Sequence, residues 1–268
     1  MTPLQTILLR QINALGPLSV AEYMAQCLYH PDHGYYAQAQ PLGKDGDFIT
    51  APEISQMFGE MIGLCLAQNW LDQGAPSPFC LAELGPGSGQ LMADVLRATK
   101  SVPGFHAAAR LHLCEVNKTL KSQQAERLAP FAPTWIENTT ELPELPLFLV
   151  ANEFFDCLPI VQYSASESGW DERIIAVQNG KLTLAQRPAG SKADGLPTGQ
   201  APGTMLELCA SANAITQDLS RVITAHGGCA LILDYGSSDP NGNTMQALRN
   251  HTKTDPLDHP GETDLTAH

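Results

Sequence analysis

The sequence contains no C-x-x-C pair. Its seven cysteines, Cys27, Cys65, Cys80, Cys114, Cys157, Cys209 and Cys229, are scattered singly, a spacing that supports neither a zinc cage nor a disulfide framework. Cysteines inside apolar runs behave as small buried hydrophobes. No signal peptide is expected from the first residues, and no apolar stretch reaches the ~18 residues of a membrane helix. Leu4, Ile7, Leu8, Ile12 and Leu15 recur at helical spacing with only Arg10 as a basic residue. That pattern reads as a docking helix and not as an Arg-rich transit peptide. These absences point to a protein of the reducing cytoplasm without membrane insertion. Basic clusters are lacking too: Lys and Arg number 15 against 28 Asp and Glu, for a net charge of −13. The phosphate-neutralising surface that nucleic acid requires is therefore missing, and no nucleic-acid partner is expected. No internal repeat is present.

What remains is a soluble, globular composition. With 268 residues, 43% hydrophobic, the chain can bury one sizeable core or one core with an appended subdomain. From residue 79 onward short apolar runs alternate with helical stretches, which predicts an α/β fold with a mostly parallel sheet covered on both faces. Strands are expected at 79–84, 111–116, 134–136, 147–151 and 229–235, and helices at 90–99, 120–128 and 209–225. An insertion over 160–203 begins with apolar runs flanking Asn179-Gly180, a two-residue hairpin signal. Residues 188–203, rich in Gly, Pro, Ala and Ser, read as a connection. Before the first strand, 1–78 form an N-terminal helical or lid region, and 79–268 the main domain. Within the former, Thr50 and Glu53 form a capping box that starts a helix with Ile54, Met57, Phe58, Met61 and Cys65 on one face. Residues 237–268 are polar, contain Pro240, Pro256 and Pro260, and show no apolar run able to form a strand.

The most informative segment is Glu83-Leu84-Gly85-Pro86-Gly87-Ser88-Gly89. A strand that ends in closely spaced glycines and feeds a helix puts bare N–H groups and a positive helix end against a ligand. A dinucleotide fingerprint needs G-x-G-x-x-G, and position 90 is Gln, which disfavours a nicotinamide-dependent oxidoreductase. The acidic-x-G-x-G-x-G form instead resembles motif I of class I S-adenosylmethionine-dependent methyltransferases. Glu115 closes the second strand thirty residues beyond Gly85, where an acid can accept both ribose hydroxyls; the bland alternative is a solvated acid. Glu83 would face the same crevice, ordering the loop or touching the cofactor amine indirectly. The fourth strand ends in Asn152-Glu153-Phe154-Phe155-Asp156, beside the transferred methyl in this fold. Glu153 can hold an incoming nitrogen in line, and Asp156 could complete a carboxylate pair for a guanidinium fork. Alternatively Asn152 merely caps a short helix. His30, Asp32 and His33 share a Pro- and Gly-containing loop, which favours turn chemistry over a metal site. Asp47 and Phe48 belong either to a lid over the cofactor or to a loop that positions the capping box.

Several segments together resemble the MidA family, whose mitochondrial members are complex I assembly-factor protein arginine methyltransferases. They are His30-Pro31-Asp32-His33-Gly34-Tyr35-Tyr36, Gly46-Asp47-Phe48, 50–60, 83–89, Asn152-Glu153-Phe154-Phe155-Asp156 and Asp234-Tyr235-Gly236. The resemblance implies a class I methyltransferase (Rossmann-like) sheet with an N-terminal helical region and a substrate-side insertion. It implies that Glu83, Leu84, Gly85, Pro86, Gly87 and Gly89, with Glu115, Val116, Asn152, Asp47 and Phe48, hold S-adenosyl-L-methionine. It further implies that Asn152 and Glu153 lie at the reaction centre, and that the methyl acceptor is a protein arginine, with a quinone-oxidoreductase subunit as the natural candidate. Asp255-Pro256-Leu257 and 261–267 look like the family's segment just after the fifth strand, and the family continues for roughly a hundred residues beyond. On that expectation the last two strands are missing and 229–235 is an exposed edge, prone to association, a dimer included. A noncatalytic cofactor-binding assembly factor is the rival reading.

Overall fold

The computed structural model describes residues 1–37, 51–236, 242–249 and 251–268. Asp47, Phe48 and Thr50, and with them the lid and the capping box, lie outside the described residues. In chain order, α1 (Pro3–Leu15), β1 (Leu18–Ser19) and α2 (Val20–Tyr29) precede α3 (Ala51–Ile54) and α4 (Gln56–Asp72). Then β2 (Phe79–Leu84), α5 (Gln90–Ala98), α6 (Phe105–Ala108), β3 (Ala109–Cys114), α7 (Lys118–Arg127), β4 (Thr134–Ile136) and β5 (Leu147–Asn152) alternate. Strands β6 (Val161–Ser166), β7 (Gly169–Gln178), β8 (Lys181–Pro188) and β9 (Met205–Leu208) follow. The chain continues with α8 (Ala210–His226), β10 (Gly228–Leu233), β11 (Gln246–Arg249), β12 (Thr252–Thr254) and β13 (Asp264–Thr266). Among the described residues no helix is long and apolar enough to cross a membrane.

The chain divides into two compact units, one of residues 1–41, 156–212 and 235–268, the other of residues 42–155 and 213–234. This division cuts the chain at other places than residue 78, because α1 and α2 share a core with the insertion and the C-terminal segment. In the first unit, Leu4, Leu8, Tyr23 and Met24 are buried with Ile175, Ala247 and Leu265. The expected hairpin is present: β7 and β8 pair antiparallel up to Gln178 and Lys181, and Asn179 and Gly180 both take positive φ (52° and 74°), as the tight turn requires. Residues 190–193 make a short 3₁₀ turn, and Lys192 Nζ lies 3.0 Å from the buried Glu172 carboxylate.

The expectation that 237–268 form no strand is wrong. β11 pairs antiparallel with both β12 and β13. These strands are only three or four residues long, and their order comes from Ala247 and Leu265, which insert into the α1/α2 core. Tertiary contact overrides weak local preference here.

The second unit is built on a parallel sheet in the order β10-β5-β2-β3-β4. Its apolar runs read as continuous because both faces are covered. One face holds Phe79, Leu81, Phe148 and Val150 with α4 and α5; the other holds Cys80, Ala82, Leu84 and Leu149 with α8. β10 pairs with β5 alone among the described strands, so the expected sheet edge is observed. Of the apolar face expected on the helix around 54–65, Ile54, Met57, Met61 and Cys65 are exposed and Phe58 alone packs in part against the core, while α4 buries Gly59, Ile62, Gly63, Leu66 and Trp70. Two glycines one turn apart decide this. A Cβ on Gly59 would lie 2.6 Å from Asp94 Cβ, and one on Gly63 2.8 Å from Val95 Cα, so only that face lets α5 approach so closely.

Candidate functional site

The registers align the carboxyl ends of the central strands: Leu84 pairs with Cys114 and Ala151, and Leu233 with Asn152. The residues that follow therefore emerge at one edge. The chain order reverses between β2 and β5, and such a switch point opens the crevice in which parallel α/β sheets bind ligands.

The glycine loop fills the β2 side of that crevice. Gly85, Gly87 and Gly89 all take positive φ (61°, 52° and 78°), and Gly89 opens α5 as its N-cap. A Cβ on Gly85 would meet Phe154 Cδ2 at 2.8 Å. The loop is gripped from outside: Ser88 Oγ donates to Glu53 Oε1 at 2.5 Å, and Arg127 donates to the Ser88 carbonyl at 2.8 Å. Leu84 is fully buried, so its share in the site is confined to backbone.

Glu83 is also buried, and its Oε2 has no hydrogen-bond partner among the described residues. Burial first, then the charge of Glu115, pushes its carboxyl from 4.5 up to about 8, against a hydrogen bond from the Met92 N–H. Glu115 sits past the end of β3. Its Oε1 accepts from the N–H groups of Val116 and Asn117 at 2.9 and 2.8 Å, and its Oε2 accepts from Gln124 at 3.2 Å. Burial raises its carboxyl, and those hydrogen bonds oppose the rise. Oε1 thus has both lone pairs used, while among the described residues Oε2 accepts one hydrogen bond and keeps a second acceptor site.

On the β5 side, Asn152 ends the strand and Glu153 turns out of it with φ 49°, a left-handed conformation that costs a residue with a Cβ about 1–2 kcal/mol. The Glu153 N–H donates to the Leu233 carbonyl at 2.9 Å. Its carboxylate accepts from the Asn152 side chain and the Ala51 N–H, and Oε2 has no partner among the described residues. Burial raises its carboxyl, and the charge of Asp234 adds to the rise. Asp234, just past β10, accepts from the Phe155 N–H at 2.9 Å.

The sequence-expected residues Glu83, Gly85, Pro86, Gly87, Gly89, Glu115, Val116, Asn152 and Glu153 therefore belong to one unit and one sheet edge. Asp156 belongs to the other unit, buried, with its carbonyl accepting from Ala267 N–H at 2.7 Å; its part in the site rests on the sequence pattern alone. His30 shows the expected turn chemistry, its Nδ1 accepting from the backbone of Asp32 and His33. Sequence reasoning assigned no role to Asp234, Gln124 or Arg127, and gave Phe154 only a place in the core under the alternative in which Asn152 caps a short helix. An acid at the end of a strand in the same crevice was a signal for Asp234; the others carry none.

The arrangement fits a ligand with a cationic amino-acid end and a ribose. The glycine loop is a cradle that side chains would fill, Glu115 has one acceptor site to offer, and Glu83 and Glu153 each keep a carboxyl oxygen without a partner among the described residues. Comparison with known proteins agrees. Residues 61–268 match the model of Methyltransf_28, a family of S-adenosyl-L-methionine-dependent methyltransferases. The mitochondrial protein arginine methyltransferase NDUFAF7 of Mus musculus is 34% identical over 99% of this chain and 67% of its own length. That of Danio rerio is 36% identical over 96% of this chain and 67% of its own. The chain thus spans about two thirds of the length of these curated relatives. A COG1565 superfamily member from Burkholderia thailandensis, solved bound to S-adenosyl-homocysteine, superposes with a TM-score of 0.81 at 26% identity, covering 99% of this chain and 72% of that one.

Proposed function

The chain belongs to the Methyltransf_28 family of S-adenosyl-L-methionine-dependent methyltransferases, and from that premise we propose that it methylates a protein arginine nitrogen. The acceptor we propose is a subunit of a respiratory NADH–quinone oxidoreductase or a similar protein, as the family resemblance implies. Seven free cysteines suit the reducing cytoplasm as the place of reaction.

Glu153 carries the proposal. The residue is half-buried, and its buried carboxyl oxygen Oε2 has no partner among the described residues. It directly precedes Phe154, whose ring lies against Gly85, so the acid is held beside the cofactor cradle. Bound there, S-adenosylmethionine supplies a methyl group already activated by its sulfonium. The chain's own residues then have to bind, align and exclude water. Gly85, Gly87 and Gly89 admit the amino-acid end of the cofactor to the backbone, and Glu115 takes a ribose hydroxyl on Oε2. Phe154 closes the loop's flank against solvent. Glu153, with the Asp234 charge beside it, receives the guanidinium fork of the acceptor and turns one nitrogen toward the methyl. The raised carboxyl of Glu153 makes it a better acceptor than an ordinary glutamate for the proton the nitrogen must lose.

Transfer of labelled methyl from S-adenosylmethionine to arginine in isolated quinone-oxidoreductase subunits tests the reading. Glu153→Gln should lower turnover about a hundredfold or more while S-adenosylhomocysteine affinity stays within about threefold. Equal loss of both would remove Glu153 from the acceptor site. Gly87→Val, which forces a β-branched residue to φ 52°, should abolish binding. A wild-type chain that binds the cofactor and methylates no arginine would support the noncatalytic assembly-factor reading instead.

A further inference from the structure

Helix α7 is a polar helix, Lys-Thr-Leu-Lys-Ser-Gln-Gln-Ala-Glu-Arg, and it buries only two side chains, Leu120 and Gln124. Leucine there is ordinary packing. Gln124 is completely buried, although an apolar residue of the same size would cost nothing in desolvation. Its partners explain its presence. One amide hydrogen goes to the Gly87 carbonyl at 2.8 Å and the other to Glu115 Oε2 at 3.2 Å, while Oε1 accepts from the Trp135 indole at 2.8 Å. The stem touches the loop as well: a Cβ on Gly89 would lie 3.4 Å from Gln124 Cγ.

We propose that Gln124 is a positioning residue of the cofactor site, a single buried amide that sets the distance between the glycine loop and the ribose acid. The inference rests on the reading of this crevice as the S-adenosylmethionine site. The two ends of the cofactor meet different strands, the amino-acid end the loop after β2 and the ribose Glu115 after β3, and Gln124 is bonded to both. Indole N–H groups can only donate, so Trp135 fixes which way the amide faces. Turned over, the amide would set its oxygen against the Gly87 carbonyl and the Glu115 carboxylate, acceptor against acceptor. The helix itself is registered to the same acid. Asn117 caps its start through the Thr119 and Leu120 N–H groups while its own N–H holds Glu115 Oε1, and Gln124 lies two turns further on, reaching back to Oε2.

Calorimetric titration of the full chain with S-adenosylhomocysteine and with its 2′,3′-dideoxyribose analogue tests this, for wild type, Gln124→Met and Trp135→Phe. Wild type should lose about tenfold to a hundredfold in affinity when the hydroxyls are removed, and Gln124→Met should lose a similar factor for the natural ligand. The two losses should not add: in Gln124→Met the two ligands should bind within about threefold of each other, because Glu115 is no longer aimed at the ribose. Trp135→Phe keeps the ring and removes the donor, and should show the same convergence to a smaller extent even where Gln124→Met fails to fold. Equal weakening of both ligands by each variant, or unchanged affinity, would reduce Gln124 to packing and overturn the proposal. A folded wild-type chain that binds neither ligand would overturn the cofactor reading itself, an outcome distinct from the others.

Discussion

Strands β2 and β10 lie in the same parallel sheet, have six residues each and are both dominated by apolar side chains, yet every residue of β2 is buried and none of β10 is. β2 has neighbours on both sides and helices over both faces. Among the described strands β10 pairs only with β5, and beside it runs an open apolar groove lined by Met57, Met61, Leu231 and Ile232. Burial is thus a property of position in the topology more than of strand composition. The acids at the two strand ends follow suit. Glu83 is sealed in and held up to about 8, while Asp234 lies exposed at the end of β10.

The largest consequence falls on β2. Phe79 has its ring centroid 4.9 Å from Phe105, 5.3 Å from Phe148 and 5.7 Å from Trp70, a cluster with no solvent to refill it. Phe79→Ala should lower unfolding stability by about 3–5 kcal/mol in denaturant titrations. A loss below about 1 kcal/mol would mean that the centre of the sheet can collapse around the gap, and the contrast with β10 would be broken.

The next effect is on pH dependence. With Glu83 raised in the folded state from 4.5 to about 8, the native chain binds a proton that the unfolded chain releases in between. The stability tied to this proton is complete below about 4.5, is lost as pH rises toward about 8, and stays lost above it. The slope is at most about 1.4 kcal/mol per pH unit, that of one proton. Glu83→Gln keeps the shape of the neutral acid, so the fall measured between pH 5 and about 8 should flatten in that variant. An unchanged slope would show that Glu83 is ionised when folded.

How much of this was legible follows from the same physics. β2 and β5 were visible because strands buried on both faces must be continuous apolar runs, and β10 because it is just as apolar although its place in the sheet leaves it less covered. The glycine loop with Glu115 was visible because positive φ and a strand-end acid leave distinct residues at distinct spacing. The buried face of α4 was not. Its apolar residues occur on both sides, and what selects the inner one is the absence of a Cβ at Gly59 and Gly63, which matters only once α5 is known to lie there. Gln124 was invisible for a related reason: within a run of polar residues a buried amide looks like a solvated one. β11 and β13 hid because their order is lent by the α1/α2 core.

The smallest effect belongs to the sheet edge. Ile232 is 47% exposed, so exchanging its apolar branches for a hydroxyl and a methyl forfeits little burial, and threonine keeps the β-branched shape that a strand accepts. Ile232→Thr should therefore change stability by less than about 1 kcal/mol at low protein concentration. Among the described strands the same edge is paired on one side alone, beside an apolar groove, a template for joining a second chain. If copies associate there, the wild type should melt higher as concentration rises and Ile232→Thr should blunt that dependence. A cost near that of Phe79→Ala, independent of concentration, would instead mean that the edge is as well covered within one chain as the centre, and the difference between the two strands would vanish.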